Sequence, residues 1–277
     1  MIKLIASDID GTLVEESSHK INPEYFKVIK DLKEVGIRFC ACSGRQYASM
    51  LDLFSPIADD IYFISGNGTV VRTKERLLHC WTLDQEIIIP IVEAVRDIEG
   101  ADFMMETPGT CYTEAGEDSS FFHLMRDSYH YDIENVDDVT KLPLDNVTKI
   151  SIFHPTSIEA STEKLRNDPR FARLSTTISG AWWLDITALE SGKGEAFALL
   201  QEYLGIKQEE TVYFGDNLND LSAFKETGVA ATVANARPEM KAAADIVERS
   251  YSKMGVLREL RNILGHARDY IAANAED

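Results

Sequence analysis

Short apolar runs alternate with longer stretches of helical spacing at both ends of the chain. The first residues are mostly apolar, as expected of a buried strand, and residues 25–35 carry apolar side chains at helical spacing. Asn22 and Pro23 form a start signal for this helix, and Gly36 ends it. The same alternation predicts further elements. We expect strands at residues 37–42, 61–64, 211–214 and 229–231, and helices at residues 192–204 and 255–273, with a further helix that ends at Gly228.

Strands and helices that alternate at this spacing are typical of βαβ units and a parallel sheet. The alternation changes near residue 84, where a predicted helix at 84–99 contains Pro90, and the pattern resumes after Thr187. Between these points we expect strands at residues 103–106, 111–113, 147–153 and 182–186, and helices near residues 118–129 and 156–166. The chain is therefore predicted to be an α/β protein. A Rossmann-like three-layer core would comprise residues 1–83 and 187–277, and an inserted α+β cap domain would comprise residues 84–186.

Two aspartates, Asp8 and Asp10, stand at the end of the first predicted strand, in the segment DIDGTL. Residues i and i+2 of a strand point to the same face, so two negative charges would face one spot. This arrangement is costly unless a positive group lies nearby or the pair has a chemical role. An EF-hand calcium loop does not explain it, because that loop needs Gly at its sixth position and Glu at its twelfth. Here Gly11 is the fourth residue of such a loop and His19 is the twelfth.

Further polar side chains follow other predicted strands or begin a predicted helix of the core. In a parallel sheet the carboxyl ends of the strands meet at one edge, where ligands bind. The full set is Asp8 with Asp10, Ser43, Lys193, and Asp216 with Asn219 and Asp220. Carboxylate oxygens are the ligands that Mg²⁺ prefers, while a lysine, a hydroxyl and backbone N–H groups can hold phosphate oxygens. One aspartate could then act as a nucleophile, with its neighbour two residues on as general acid and base.

Each of these features also has a structural explanation on its own. Ser43 could cap the following helix, and Asp216 and Asp220 could cap theirs. Asn67 stands in a Gly-Asn-Gly turn, which needs no ligand to explain it. Lys193 is different, because the helix dipole disfavours a cation at a helix start. The combination of features favours a site at this edge of the sheet.

The acidic composition restricts the possible partners. The chain has 277 residues and a formal charge of −18, which argues against nucleic acid or an anionic membrane as the main partner. The four cysteines lack the spacing of a zinc or redox motif and are expected to be free thiols. No signal peptide is recognisable, and no apolar run approaches the roughly 18 residues of a membrane span. We expect a cytoplasmic protein that binds a small phosphorylated molecule and is a monomer or a weak homo-oligomer.

Together the segments DIDGTL, CSGR, SGKGEA and GDNLND resemble the four ordered motifs of the haloacid dehalogenase-like hydrolase superfamily. The insert between the second and third motifs, with SGNGTVV and VANARPEMKAAADIV, is similar to the Cof-type branch, which has a large α/β cap domain. The resemblance covers essentially the whole chain. It implies an active site at the carboxyl edge of the core sheet and a cap domain that closes over the site and selects the substrate.

The resemblance also implies a role for each matching residue. Asp8 is expected to be the nucleophile that forms an aspartyl-phosphate, and Asp10 the general acid that protonates the leaving group and then activates water. Ser43 is expected to bind the transferring phosphoryl group. Lys193 is expected to neutralise the nucleophile and the phosphate.

Mg²⁺ is the cofactor that the resemblance implies. Its expected ligands are Asp8, Asp216 and the backbone carbonyl of Asp10, with Asp220 orienting the site from behind. The residues expected to contact the substrate are Gly11, Gly44, Arg45, Asn67 and Asn219.

These expectations describe a Mg²⁺-dependent phosphatase of a small phosphorylated metabolite, a sugar phosphate or a related compound. A phosphomutase of the same superfamily is an alternative, since it would return the phosphoryl group to a substrate hydroxyl instead of water. A signalling or binding protein that is phosphorylated on an aspartate is a second alternative. It has no need for Asp10 as an acid or for a cap of about 100 residues, which is within the usual size of a whole domain.

Overall fold

The structure is a computed structural model that describes residues 1–16, 18–179 and 182–275. The chain divides into two compact units, one of residues 1–45, 50–78 and 192–277 and one of residues 46–49 and 79–191. The predicted domain boundaries at residues 84 and 187 lie inside the limits of the second unit. The assignment of the two units as catalytic core and cap stays a prediction.

The described strands, in chain order, are β1 (Leu4–Asp8), β2 (Arg38–Cys42), β3 (Tyr62–Ser65), β4 (Val70–Arg72), β5 (Leu77–Cys80), β6 (Asp102–Glu106), β7 (Cys111–Thr113), β8 (Ile133–Asn135), β9 (Lys149–Phe153), β10 (Leu174–Ser179), β11 (Trp183–Ala188), β12 (Thr211–Phe214), β13 (Val229–Val233) and β14 (Ile246–Glu248). The described helices are α1 (Glu24–Glu34), α2 (Tyr47–Leu53), α3 (Gln85–Arg96), α4 (Ser120–His123), α5 (Ile158–Ser161), α6 (Glu163–Arg166), α7 (Lys193–Leu204), α8 (Leu221–Lys225), α9 (Pro238–Ala243) and α10 (Gly255–Asn274).

The first unit is built on an eight-stranded sheet with the order β14-β13-β12-β1-β2-β3-β4-β5. The pairs from β14 to β3 are parallel, whereas β4 runs antiparallel to β3. All five residues of β1 are buried, as expected of the centre of a parallel sheet that is covered on both faces. The predicted α/β class and parallel core sheet are confirmed.

The register of β1 brings three strand ends together. Asp8 pairs with Cys42 of β2, and Ser7 pairs with Phe214 of β12. Because these strands are parallel, the segments that follow β1, β2 and β12 leave the sheet at the same edge. The motifs DIDGTL, CSGR and GDNLND therefore leave the sheet side by side.

The second unit contains a six-stranded sheet with the order β10-β11-β9-β6-β7-β8, in which the pair β7 and β8 is parallel and the other pairs are antiparallel. Successive side chains of its strands point to opposite faces of the sheet. Ile150 and Ile152 of β9 lie in an apolar core that also contains Ile88 and Ile91 of α3. Asp84 caps α3 by accepting a hydrogen bond from Glu86 N at 3.1 Å. The predicted α+β character of the insert matches this mixture of elements.

Several predicted elements differ in detail from the structure. The helix expected near residues 156–166 is two short helices, α5 and α6, separated at Thr162. The helix expected near residues 118–129 begins as α4 and continues into a wider π-helical segment, Leu124–Ser128. Several short elements are not predicted by the sequence pattern: β4, β5, β8, β10, β14 and α9.

A charged cluster lies on the other face of the second unit's sheet. Lys149 Nζ is 2.9 Å from Glu106 Oε1 and 3.6 Å from Asp185 Oδ1, and the three residues are between 2% and 6% exposed. Ser151 Oγ lies 2.9 Å from Glu106 Oε1 and 2.7 Å from Asp185 Oδ1. Burial raises the pKa of Glu106, and Lys149 opposes that rise. The cluster therefore depends on the lysine for its charge balance.

Replacement of Lys149 tests this dependence. We expect Lys149→Met to lower the free energy of unfolding by about 3–5 kcal/mol, because it removes the cation from two buried carboxyl groups. Lys141→Met is the matched control, since Lys141 is 79% exposed and pairs with Asp138 at 3.5 Å. Urea unfolding should detect no change for the control. Equal stabilities of the two variants would show that the cluster does not need its lysine.

Candidate active site

The candidate site lies at the carboxyl edge of the first unit's sheet. Asp8 is the last residue of β1, Ser43 follows β2 directly, and Asp216 comes two residues after β12. Lys193 is the first residue of α7. Asp8 is 5% exposed, and Ser43 and Lys193 are each 1% exposed. The structure thus brings the four sequence motifs to one place in the first unit.

Lys193 joins two carboxyl groups at the centre of the site. Its Nζ donates to Asp8 Oδ1 at 2.6 Å and to Asp220 Oδ1 at 2.7 Å. Burial alone would lower the pKa of Lys193, but Asp220 and Asp8 raise it well above its ordinary value. The two carboxylates thus favour the ammonium form of Lys193. The cost of placing a cation at the first position of α7 is offset by these carboxylates.

Three carboxyl groups crowd this lysine. Asp8, Asp216 and Asp220 each offer an oxygen, and these oxygens lie within 4.8 Å of one another. Burial, Asp220 and Asp216 raise the pKa of Asp8 well above its ordinary value, although Lys193 opposes the shift. Burial and the nearby Asp220 raise the pKa of Asp216 to about 6. One lysine does not balance three carboxylates, so the oxygen donors present fit a hard divalent cation such as Mg²⁺.

Asp220 fixes the loop that carries Asp216. Asp220 Oδ2 accepts from the backbone N–H groups of Asp216 at 3.1 Å and Asn217 at 3.2 Å. Its Oδ1 accepts from Lys193 and from the Tyr213 hydroxyl, the latter at 2.9 Å. Asp220 is fully buried, and these hydrogen bonds offset the free-energy cost of removing its carboxylate from water.

Asp10 and Arg45 form a two-point ion pair. Arg45 Nε donates to Asp10 Oδ2 at 2.8 Å, and Arg45 Nη2 donates to Asp10 Oδ1 at 2.7 Å. Arg45 Nη2 also donates to the backbone carbonyl of Ser18 at 2.7 Å. Arg45 is 4% exposed. The sequence predicts Arg45 as a substrate ligand, whereas the structure places its guanidinium on the predicted general acid.

The turn after β3 is attached to the segment after β2. Asn67 N donates to Ser43 O at 3.0 Å, and Gly66 N donates to Arg45 O at 2.9 Å. Asn219 Nδ2 donates to Asn67 Oδ1 at 2.9 Å, so these two predicted substrate residues are in direct contact. Gly44 lies against the same amide, since a Cβ there would be 2.9 Å from Asn67 Oδ1.

Ser43 has a structural partner in addition to any ligand. Its Oγ accepts a hydrogen bond from Arg45 N at 3.2 Å. The hydroxyl thus helps to fix the turn that delivers Arg45 to Asp10, and its own hydrogen can still be donated to another group. The prediction that Ser43 binds the phosphoryl group stays open.

Gly11 lies directly against the metal-ligand candidate Asp216. Its φ is +80°, and a Cβ built at this position would be 2.4 Å from Asp216 Oδ2. Any other residue would displace that carboxylate or the loop. The absence of a side chain at Gly11 therefore lets the Asp216 carboxylate occupy its position in the site. This packing explains the glycine without the substrate contact that the sequence predicts for it.

Three further residues support the site and are absent from the sequence-based set. Thr12 Oγ1 donates to Asp216 Oδ1 at 2.9 Å, and Asn235 Nδ2 donates to Gly11 O at 2.7 Å. Tyr213 is the third. Thr12 and Asn235 stand in the motifs DIDGTL and VANARPEMKAAADIV, so their position in the sequence could have identified them as site residues. Tyr213 gives no such signal, because an aromatic residue in a buried strand is ordinary core composition.

The geometry defines a class of site. A buried carboxylate beside a protonated lysine, with further carboxylates fit for a divalent cation, can attack or stabilise an electron-poor phosphoryl group. The position at the carboxyl edge of a parallel sheet is where α/β proteins bind their ligands. The fold and the site together are those of a phosphoryl-transfer protein of the α/β class.

Comparison with known families agrees with this class. The family model for haloacid dehalogenase-like hydrolases matches residues 5–260. The chain belongs to the haloacid dehalogenase-like hydrolase family, and the sequence-based prediction of that family and of its Cof-type branch is confirmed.

Individual relatives match over nearly their whole length. A protein of Escherichia coli strain K12, the 5-amino-6-(5-phospho-D-ribitylamino)uracil phosphatase YbjI, is 25% identical over 265 residues, which are 96% of this chain and 97% of the relative. An HMP-PP phosphatase of Citrobacter koseri is 27% identical over 243 residues, 87% of each chain. A crystal structure from Eubacterium rectale is 37% identical with a TM-score of 0.87, covering 95% of this chain and 99% of that one. The two named enzymes are phosphatases, which agrees with the predicted enzyme class, a phosphoric monoester hydrolase.

Within residues 1–16, 18–179 and 182–275, no helix is both long and apolar enough to cross a bilayer.

The contact between Gly68 and α7 can be tested by a pair of alanine variants. Gly68 has φ +101°, and a Cβ there would be 2.1 Å from the backbone carbonyl of Gly192, next to Lys193. Gly36 has a similar φ of +84° with nothing within 4 Å of the added atom. We expect Gly36→Ala to lower the free energy of unfolding by about 1–2 kcal/mol through strain alone. Gly68→Ala should cost about 1–3 kcal/mol more through overpacking.

Urea unfolding of both variants measures the difference. Equal losses would mean that the turn after β3 can move away from α7 at no cost. That result would contradict a rigid placement of the Lys193 backbone.

Proposed function

We propose that this protein is a Mg²⁺-dependent phosphatase that hydrolyses a small phosphorylated metabolite through an aspartyl-phosphate on Asp8. The observation that carries the proposal is the buried Lys193 ammonium between Asp8 and Asp220, beside Asp216. The substrate class is a sugar phosphate or a related polyol or cofactor phosphate. The relatives named as phosphatases of a ribitylaminouracil phosphate and of HMP-PP support a small phosphorylated substrate.

The first chemical step assigns roles to Asp8 and Asp10. A carboxylate oxygen of Asp8 forms a bond to phosphorus while the bond from phosphorus to the leaving oxygen breaks. Asp10, which must be in its carboxylic acid form for this step, donates its proton to that leaving oxygen, and the alcohol departs. Lys193 offsets negative charge on Asp8 and on the phosphoryl oxygens in this step.

The second step releases phosphate. Asp10, now a carboxylate, takes a proton from a water molecule whose oxygen attacks phosphorus. The bond between phosphorus and the Asp8 oxygen breaks, and the Asp8 carboxylate is restored. Ser43, Asn67, Asn219 and the backbone N–H groups near Gly44 are the proposed contacts for the phosphoryl oxygens. The hydrogen bonds of Asn67 with Ser43 O and with Asn219 support this grouping.

Mg²⁺ is proposed as the cofactor, with Asp8, Asp216 and the backbone carbonyl of Asp10 as its protein ligands. Such an ion would supply positive charge to the transferring phosphoryl group. Thr12 and Asp220 hold Asp216 and its loop in place for this role. Residues 84–186 are proposed as the part of the chain that selects the substrate.

Loss of the nucleophile is the most direct test of the proposed activity. We expect the wild type to release phosphate from a panel of phosphorylated metabolites with Mg²⁺ and not with excess chelator. Asp8→Asn should lower kcat at least 10³-fold, about the size of effect that removal of a catalytic nucleophile has elsewhere. Asp59→Asn is the control, because Asp59 is an exposed aspartate paired with Lys74. Undiminished turnover by Asp8→Asn would exclude the mechanism, and conserved total organic phosphate would identify a mutase.

A second prediction concerns Arg45 and the acid step. Asp10 is needed most when the leaving group is a poor one, so an alkyl phosphate should depend on it more than p-nitrophenyl phosphate does. We expect Asp10→Asn to lower kcat for the alkyl substrate by about 10²–10⁴-fold. Arg45→Met should lower it about tenfold, since it removes one or two charge-assisted hydrogen bonds that orient Asp10.

The comparison between substrates decides the role of Arg45. With p-nitrophenyl phosphate, Arg45→Met should retain most of its activity, and Arg38→Met, a change of an exposed arginine at the start of β2, should retain all of it with both substrates. A loss of equal size on both substrates would instead make Arg45 a substrate contact, as the sequence predicts.

A further inference from the structure

Tyr213 lies directly behind the candidate site. It belongs to β12 and is fully buried, and its hydroxyl donates to Asp220 Oδ1 at 2.9 Å. Its ring packs edge-on against Phe197 of α7 at a centroid distance of 5.4 Å and against Phe224 of α8 at 6.1 Å. The ring thus touches the helix that Lys193 begins and the helix that follows Asp220.

The two oxygens of Asp220 serve different neighbours. Oδ2 accepts the two backbone N–H groups of the Asp216 loop, while Oδ1 accepts from Lys193 and from Tyr213. The Lys193 ammonium is shared between Asp220 Oδ1 and Asp8 Oδ1 at nearly equal distances, 2.7 Å and 2.6 Å. A hydrogen bond from Tyr213 spreads the negative charge of Oδ1. Without it, Asp220 would attract the ammonium more strongly and draw it away from Asp8.

The surroundings of the phenol leave its hydrogen bond to Asp220 in a buried environment. Cys42, the last residue of β2, is one of its neighbours, and burial raises the pKa of the Cys42 thiol to about 12. A chain of hydrogen bonds runs from Tyr213 through Asp220 to Lys193.

We propose that Tyr213 is a positioning residue. Its hydroxyl holds the Lys193 ammonium on Asp8 by donating a hydrogen bond to Asp220 Oδ1. The inference rests on the proposed function, since it assumes that Asp8 and Lys193 carry the reaction. A positioning role and a packing role predict different effects of Tyr213→Phe. This variant would keep both aromatic contacts and lose only the hydroxyl, so a role in packing alone predicts little effect on catalysis.

The test compares Tyr213→Phe with Tyr25→Phe, which removes a hydroxyl from another fully buried tyrosine, on α1. The measurements are kcat and KM for p-nitrophenyl phosphate, the half-saturating Mg²⁺ concentration, and the thermal midpoint. We expect Tyr213→Phe to lower kcat about tenfold, the effect of losing one hydrogen bond to a charged group. KM and the Mg²⁺ requirement should stay within about twofold, because the bonds of Asp220 Oδ2 to the Asp216 loop are untouched. Tyr25→Phe should leave all three kinetic quantities unchanged.

A crystal structure of metal-free Tyr213→Phe gives a readout that does not depend on turnover. Relative to a metal-free crystal structure of the wild type, the distance between Lys193 Nζ and Asp8 Oδ1 should increase, while the distance between Lys193 Nζ and Asp220 Oδ1 should not. An unchanged ammonium position would overturn the inference.

The kinetic outcomes separate the inference from the function on which it rests. If wild type hydrolyses the substrate with Mg²⁺ and Tyr213→Phe matches Tyr25→Phe in kcat, Tyr213 has no positioning role. If the loss of kcat comes with an equal rise in the Mg²⁺ requirement and a lower thermal midpoint, the hydroxyl acts by general loosening of the loop, and the inference is also wrong. Absence of Mg²⁺-dependent hydrolysis by wild type would remove the proposed function first.

Discussion

One buried positive charge determines how this site can exist. Lys193 is 1% exposed and lies between Asp8 and Asp220, with Asp216 close by. Carboxylates taken out of water in this number would repel one another and stay protonated, and a lysine taken out of water alone would lose its proton. Lys193 and the carboxylates therefore favour each other's charged forms, whereas the carboxylates oppose those of one another. The charge that is still unbalanced is what makes the site suited to a divalent cation and to a phosphoryl group.

The topology of the first unit makes this interaction possible. Asp8 and Asp220 are far apart along the chain, and parallel pairing of β1 with β12 brings their segments to one edge. Lys193, the first residue of α7, reaches both carboxylates there. Glycines then allow close approach of the loops, as where Gly11 faces Asp216. The supporting hydrogen bonds to Asp216 and Asp220 come from the loops that follow β1 and β12 and from Tyr213 of β12. The strands that position the site therefore also stabilise it.

The sequence predicts the elements that have strong patterns and the residues that stand in motifs. β1 and α7 were predictable because a predicted apolar strand or helix coincides there with a distinctive motif, and Asp8 and Lys193 are in contact as the charge argument requires. Short edge strands such as β10 and β14 were missed, since three to six residues with mixed polarity carry little periodic signal. Arg45 shows a different limit. Its motif predicts a substrate contact, whereas its hydrogen bonds to Asp10 depend on the three-dimensional arrangement, which motif spacing does not reveal.

The central claim is that Asp8 becomes covalently phosphorylated during turnover. The most direct measurement is a single-turnover reaction with excess enzyme, stopped in acid, reduced with borohydride and analysed by peptide mass spectrometry. An aspartyl-phosphate at Asp8 predicts reduction of that one side chain to homoserine, with a yield that rises and then falls as the substrate is consumed. Turnover with an unmodified Asp8 throughout, or reduction at another aspartate, would contradict the account.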